Sequence, residues 1–326
     1  MNAIQRSWDG WHPITFLLLP LTGVFCLLVW LRRQAYRLGW LNSRRLQVPV
    51  IVVGNISVGG TGKTPLIIWL ARKLVAMGHR PGIILRGYGG TAGKAPTAVT
   101  ASSRPQEVGD EAVLIQRRSD CPVFVGSLRV EAGRQLLAQH DCDLLLSDDG
   151  LQHYALQRDL EIVVIDGERR FGNGLCLPAG PLREPTSRLR QADLVVVNES
   201  PKDGELSMLV NAVEAVSLAD GQHRPLQSFQ DQTLHAVAGI GHPERFFTTL
   251  REAGLNPVCH PFSDHHPYAE EEFRPFSGQT VLMTEKDGVK CEQFALPGLW
   301  YVPATAQPDE GFQRAFESMI KRLTDG

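Results

Sequence analysis

No two of the six cysteines in this 326-residue chain form a CxxC pair: Cys26, Cys121, Cys142, Cys176, Cys259 and Cys291 are scattered. That spacing argues against a zinc site and against a disulfide framework, and it suits thiols kept in a reducing compartment. An excess of charge of either sign is also missing. Thirty-three Lys and Arg against 35 Asp and Glu leave a formal net charge of -2. No nucleic-acid partner is expected from that balance, because phosphate backbones are gripped by clustered positive fields. Internal repeats, low-complexity tracts and long charge runs are absent as well. With 43% hydrophobic and 21% charged residues, the composition is that of a folded chain, long enough for two domains or one large domain with an appendage.

A third absence is local. From Gly10 to Leu31 there is no Asp, Glu, Lys or Arg, and Phe16 to Leu31 is almost wholly apolar. The stretch approaches the roughly 20 residues needed to cross a bilayer. It has neither the basic start nor the small-residue cleavage site of a signal peptide. Pro20 and Gly23 interrupt a spanning helix. Trp8, Trp11, Trp30, Tyr36 and Trp40, with Arg32, Arg33, Arg37, Arg44 and Arg45, favour a helix lying in the interface. Membrane attachment is expected, with span and interfacial helix both open. The arginines after the segment put the remaining chain on the cytoplasmic side.

Beyond residue 45, short β-rich runs alternate with helical patterns, as in a mainly parallel sheet covered by helices on both faces. Strands are expected at Val48–Val53, Gly82–Leu85, Val123–Val125, Asp143–Leu146, Leu160–Ile165 and Asp193–Val197, and helices at Thr64–Met77, Asp110–Arg118 and Leu128–Gln139. Ser217–Thr233 is polar, and a second α/β section follows: strands His235–Ala238, Pro257–Phe262 and Thr280–Met283, and helices Pro243–Ala253 and Glu310–Leu323. This pattern divides the chain into a membrane-associated segment (1–45), an α/β domain (46–230) and a smaller C-terminal α/β domain (231–326), with a ligand cleft expected between the last two.

The segment Val50-Ile-Val-Val-Gly-Asn-Ile-Ser-Val-Gly-Gly-Thr-Gly-Lys-Thr64 carries the chemistry. A buried strand runs into a glycine-rich turn, then Lys-Thr, then a helix. Ser57, Val58, Gly59, Gly60, Thr61 and Gly62 form the expected nucleotide loop, whose glycines let consecutive N–H groups face phosphate oxygens. The helix N-terminus adds its dipole. Lys63 is expected on the β- and γ-phosphates and Thr64 on magnesium. The usual pattern G-x-x-x-x-G-K-[ST] has Gly where this chain has Ser57.

Phosphoryl transfer also needs a carboxylate for magnesium at a nearby strand end, and Asp143-Leu-Leu-Leu-Ser-Asp-Asp-Gly150 supplies Asp148 and Asp149. Spacing does not say which of them touches the metal. Asp110 in Val108-Gly-Asp-Glu111 reads equally as a helix cap or a functional acid. Phe262-Ser-Asp-His-His-Pro-Tyr268 places a histidine pair after a strand, suited to proton transfer. Arg86 in Arg86-Gly-Tyr-Gly-Gly90 and Arg183 in Pro178-Ala-Gly-Pro-Leu-Arg-Glu-Pro185 are candidate anion contacts. Thr284-Glu-Lys-Asp287 faintly resembles a GTPase base-reading motif, so a GTPase or ATPase switch of the maturation-factor kind stands as the alternative; a membrane-bound nucleotide sensor without catalysis is a further one.

Taken in order, these segments resemble the tetraacyldisaccharide 4'-kinase family. The resemblance rests on Gly54-Asn-Ile-Ser-Val-Gly-Gly-Thr-Gly-Lys-Thr-Pro65, Leu85-Arg-Gly-Tyr-Gly89, Val108-Gly-Asp-Glu-Ala112, Ser147-Asp-Asp-Gly-Leu-Gln-His153 and Leu177-Pro-Ala-Gly-Pro-Leu-Arg-Glu-Pro185. Ala238-Gly-Ile-Gly-His-Pro-Glu-Arg-Phe246, Phe262-Ser-Asp-His-His266 and Thr284-Glu-Lys-Asp-Gly-Val-Lys290 continue it. It implies a P-loop NTPase-like domain, a smaller C-terminal domain that closes on nucleotide, and a monotopic enzyme on the cytoplasmic face of the bacterial inner membrane. The implied reaction moves the γ-phosphate of ATP, with Mg2+, to the 4'-hydroxyl of a membrane-embedded tetraacylated glucosamine disaccharide 1-phosphate; no obligate protein partner is implied. Asp110 as the base, with His265 orienting it, is the implied dyad that activates the sugar hydroxyl, beside Lys63.

Overall fold

The structure, a computed structural model, describes residues 7–91, 95–294 and 296–324. Helix α1 (Pro13–Arg37) opens it and is followed by β1 (Val50–Gly54), α2 (Lys63–Ala76), β2 (Pro81–Leu85) and β3 (Thr97–Val99). Next come α3 (Asp110–Ser119), β4 (Val123–Val125), α4 (Arg129–Gln139), β5 (Leu144–Asp148), β6 (Leu160–Asp166), β7 (Leu194–Asn198) and β8 (Leu206–Asn211). A second run holds β9 (Glu214–Ser217), β10 (His223–Pro225), β11 (Leu234–Ala238), α5 (Pro243–Glu252), β12 (Val258–Pro261), β13 (Thr280–Thr284), α6 (Glu285–Cys291) and β14 (Leu299–Val302). Strand β15 (Thr305–Pro308) and helix α7 (Glu310–Thr324) end the described chain.

Nine strands form the first sheet in the order β15-β8-β7-β6-β1-β5-β2-β4-β3, and six form the second in the order β10-β9-β14-β13-β11-β12. The central strands of the first sheet are parallel, with β3 and β15 antiparallel at its two edges. Successive strand side chains point to opposite faces, and β1 shows the consequence. Ile51 and Val53 pack into the apolar layer under α2, α3 and α7, while Val50 and Val52 join the layer under α4. Both faces are covered, which is why these strands are apolar throughout.

Sheet membership departs from a division at residue 230. Strands β9 and β10 already belong to the second sheet, and β15 with α7 returns to the first, β15 pairing with β8 and α7 packing against α2 through Phe312 and Phe316. The polar stretch from Ser217 to Thr233 folds because its few apolar residues are fully used: Leu226 and Phe229 are completely buried. Six strands had no sequence expectation at all, β3, β8, β9, β10, β14 and β15, each too short or too mixed to show a period.

Helix α1 runs unbroken through Pro20 and Gly23 and is long and apolar enough to cross a membrane. Phe16, Leu17, Leu21, Val24, Leu27 and Leu28 lie exposed on it. Its inner face is seated by polar contacts: the Thr22 hydroxyl donates to the Cys176 carbonyl at 3.3 Å and accepts from the Ala179 N–H at 3.0 Å.

Candidate active site

The carboxyl ends of β1, β2, β5 and β7 open on one side of the first sheet, where open α/β sheets bind ligands. The ends of β11 and β13 face them, and a cavity of about 980 Å3 lies between. The turn after β1 reaches it with Gly59, Gly60, Thr61, Gly62, Lys63 and Thr64. Gly62 adopts φ +88°, and a Cβ there would stand 2.6 Å from the Asn198 amide, so only glycine lets the loop pass this close to the end of β7. Buried Asn198 donates to the Thr61 carbonyl at 3.2 Å, and Asn55 braces the loop from within. Helix α2 starts at Lys63, presenting its free N–H groups and dipole to the cavity.

Ser57 and Val58 are the exceptions among the expected loop residues, since neither lines this cavity. The Val58 N–H is spent on the Pro181 carbonyl at 2.9 Å, and Ser57 pairs with Leu182. The loop's first half is a strand-like partner of residues 181–183, which explains why a serine is tolerated where a cradle would need glycine.

Asp148 and Asp149 end β5 beside the loop. Asp149 meets the Lys63 ammonium at 3.5 Å and takes both carboxylate oxygens to Arg183, at 2.9 and 3.0 Å. Burial would raise its pKa, but the two cations outweigh it and hold the group down at about 2. Asp148 is 4% exposed and its Oδ1 has no hydrogen-bond partner. Burial, together with repulsion from Glu111, pushes it up to about 7 against the pull of Lys63. A buried, unpartnered carboxylate oxygen in the cavity that Thr64 also lines fits a magnesium ion, whereas Asp149 is already neutralised by protein cations. Arg129, which the sequence reading passed over, is buried and donates to the main-chain carbonyls of Asp148 and Asp149 at 2.9 and 2.8 Å, fixing that strand end.

Arg86, Arg183 and Arg129 all line the cavity, as does Arg32 from the last turns of α1. Burial, with the charges of Arg129, Arg158, Arg32 and Arg86, brings the pKa of His153 down to about 4. That end of the cavity is built for anions.

Asp110 opens α3. Gly109 before it holds φ +91°, with a would-be Cβ 2.5 Å from the Tyr88 carbonyl, so the Arg86–Gly90 turn rests directly on the start of this helix. The Asp110 Oδ2 lies 3.0 Å from His265 Nδ1 across the two sheets. His265 sits on a turn at φ +59°, an uncommon backbone that aims its ring at Asp110. His266 points elsewhere, to Glu272 at 2.9 Å. Burial raises the Asp110 pKa, yet the His265 hydrogen bond and Lys286 outweigh it and hold the carboxylate below its usual range. That same bond raises His265 above its usual value against burial and Lys286. Asp110 is only 4% exposed, so His265 is the member of the pair that lines the cavity.

The Thr284-Glu-Lys-Asp287 segment behaves unlike a base reader. Asp287 is fully buried, accepting from the Gly239 N–H at 2.9 Å and the Thr284 hydroxyl at 2.6 Å, and pairing with Lys290 at 2.8 Å. Glu285 is held by Arg118, and Lys286 turns into the cavity toward Glu111 at 3.1 Å. Among the described residues no cluster of three or more His, Cys, Asp or Glu side chains suits a metal ion without outside ligands.

Comparison with known proteins places these features in a family. Residues 14–321 match the family model described as tetraacyldisaccharide-1-P 4'-kinase. The tetraacyldisaccharide 4'-kinase of Nitrosococcus oceani is 52% identical over 321 residues, covering 98% of this chain and 95% of that protein. The enzyme of the same name from Methylobacillus flagellatus is 49% identical over 324 residues, covering 98% and 96%. The solved "apo" form of LpxK from Aquifex aeolicus in complex with ATP aligns with a TM-score of 0.79 at 27% identity, over 95% of this chain and 99% of that one.

Proposed function

The chain belongs to the tetraacyldisaccharide 4'-kinase family, and we propose that its inter-sheet cavity is where ATP phosphorylates the 4'-hydroxyl of a tetraacylated glucosamine disaccharide 1-phosphate, giving the 1,4'-bisphosphate. The observation that carries this is the meeting of three parts in one cavity: the Gly59–Thr64 loop, the Asp148–Asp149 strand end and the Asp110–His265 pair. Phosphoryl transfer is a problem of positioning and charge, and each part answers one piece of it.

The N–H groups at the start of α2 and the Lys63 ammonium hold the β- and γ-phosphates, Lys63 leaving Asp149 as phosphate arrives. Thr64 and Asp148 would hold magnesium, with Asp149 keeping Arg183 in place. Bound there, the metal supplies charge neutralisation across the phosphates. A sugar hydroxyl is a weak nucleophile, so its proton must be taken as the bond to phosphorus forms. The Asp110–His265 pair takes it, His265 facing the acceptor and Asp110 orienting the ring and stabilising the charge it gains. The basic end of the cavity, with Arg86 and Arg183, receives the anionic substrate.

The acceptor's four acyl chains stay in the bilayer, and the exposed apolar face of α1 would bring the cavity to the interface. That face and the arginines behind it support a place on the cytoplasmic face of the inner membrane. Incubation with γ-labelled ATP, magnesium and lipid A precursor in detergent tests the activity: label is expected on the lipid. Release of free phosphate alone, or a preference for GTP, would instead support a nucleotide switch. Lys63→Ala is expected to lose both nucleotide binding and turnover, and Asp110→Ala to keep ATP binding while losing at least about a hundredfold in turnover.

A further inference from the structure

We propose that Lys286 is a positioning residue for phosphoryl transfer, fixing the tautomer and charge of the Asp110–His265 pair from the opposite sheet. The proposal rests on the reading of that pair as the proton acceptor. Lys286 occupies the first turn of α6, directly after β13, so its backbone belongs to the second sheet. Its ammonium reaches across the cavity to α3 of the first, 3.1 Å from Glu111 Oε1, 3.9 Å from Asp110 Oδ1 and 3.5 Å from His265 Nε2.

That last contact constrains chemistry. An ammonium has only protons to offer, so the ring nitrogen facing it must be the acceptor. His265 is then neutral with its proton on Nδ1, and that N–H donates to Asp110 Oδ2 at 3.0 Å. The arrangement leaves a carboxylate behind the ring and an unprotonated Nε2, whose lone pair accepts from Lys286 until the substrate hydroxyl displaces the ammonium and gives that nitrogen its proton. A protonated ring would place its second N–H against the ammonium, so Lys286 opposes premature charging.

Other charges face the pair and do not duplicate this role. Asp264 lies 3.8 Å from His265 Nε2 and pulls the opposite way, half-exposed. Glu111 sits beside Lys286 and anchors it, while Lys290 is already paired with Asp287. Tyr88 covers the ring face at a centroid distance of 5.2 Å. Lys286 is therefore the cation that bears directly on both members.

The test is the pH profile of kcat for the full-length enzyme and its Lys286→Met and Lys286→Arg variants, with melting temperature and ATP affinity measured alongside. Removing a cation about 4 Å away lets the pair protonate more readily, so the acidic limb of Lys286→Met is expected to move to higher pH by about one unit or more. Its rate deficit should be about tenfold at the acid end and shrink as pH rises, and Lys286→Arg should restore most of the parent limb. An unmoved limb, or a deficit constant across pH, overturns the proposal, as does a change confined to the KM for ATP. If Lys286→Met does not fold, Lys286→Gln and Lys286→Arg carry the same comparison, and parent-like limbs in both would overturn it. Asp110→Asn separates the premises: parent-like turnover there removes the proton-acceptor reading itself, whereas an inactive Asp110→Asn with an unmoved Lys286→Met limb removes only the role of Lys286.

Discussion

Asp148 and Asp149 are neighbours in sequence yet sit on opposite sides of the ordinary carboxylate range, at about 7 and about 2. One faces cations and the other faces burial and Glu111, and that difference assigns their work. Asp148→Asn is expected to raise the magnesium concentration for half-maximal turnover by about tenfold or more, with metal-free ATP binding little changed; titration of turnover against magnesium checks it. The Asp110–His265 pair makes a separate prediction about stability. Asp110 is depressed, so its contribution is present above its usual 3.8 and lost as pH falls through the folded value. His265 is raised, so its contribution is full below its usual 6.5 and lost as pH climbs through the folded value. Asp110→Ala should thus cost most between about pH 4 and 6.5, about 2 kcal/mol as for a hydrogen bond between charged groups, with the gap to the parent narrowing on either side. Chemical denaturation across that range measures it.

Among the elements, α1 pairs a lipid-ready face with a seat made of hydrogen bonds. Thr22 is 6% exposed and its hydroxyl both donates to Cys176 and accepts from Ala179. Thr22→Val keeps the shape and removes both bonds, stranding a buried N–H and carbonyl. A loss of about 1–3 kcal/mol is expected, read as a lower melting temperature and faster protease cleavage of the 176–179 loop in detergent. The elements also explain what a sequence can disclose. The Gly59–Thr64 turn and the strands β1, β5 and β6 were legible because their periodicity, glycines and Lys-Thr are local. Ser57 and Val58 stay outside the cavity because their partners lie at 182 and 181, which no local pattern discloses. His265 and His266 differ only in backbone, one bent to φ +59° toward Asp110, a distinction no spacing contains. Lys286 stood inside a weak four-residue pattern, and the carboxylate that gives it meaning lies 175 positions away.

At the scale of the whole molecule, several ion pairs join the two sheets across the cavity, beside the packing of Val289 into the first sheet's apolar core. Arg118 pairs with Glu285, Lys286 with Glu111, and Arg245 of α5 reaches Asp166 at 3.3 Å and Glu199 at 2.7 Å, at the ends of β6 and just past β7. Such contacts differ from a continuous apolar core in that water can satisfy both partners once solvent enters. Arg245 spans two carboxylates at the cavity wall, and Asp166 in turn caps the Glu168 and Arg169 amides beside the phosphate loop. Removing Arg245 would leave two adjacent carboxylates facing an anionic nucleotide without a counter-charge. Arg245→Ala is therefore expected to raise the KM for ATP about tenfold, equivalent to about 1.4 kcal/mol, with kcat reduced far less. The proton-accepting pair and the magnesium residues lie elsewhere in the cavity. KM should rise with ionic strength less steeply in the variant than in the parent, because screening acts on a contact the variant no longer has. Steady-state kinetics at two salt concentrations decide it: an unchanged KM, or an equal salt response in both proteins, would show that the sheets are held by their apolar contacts instead.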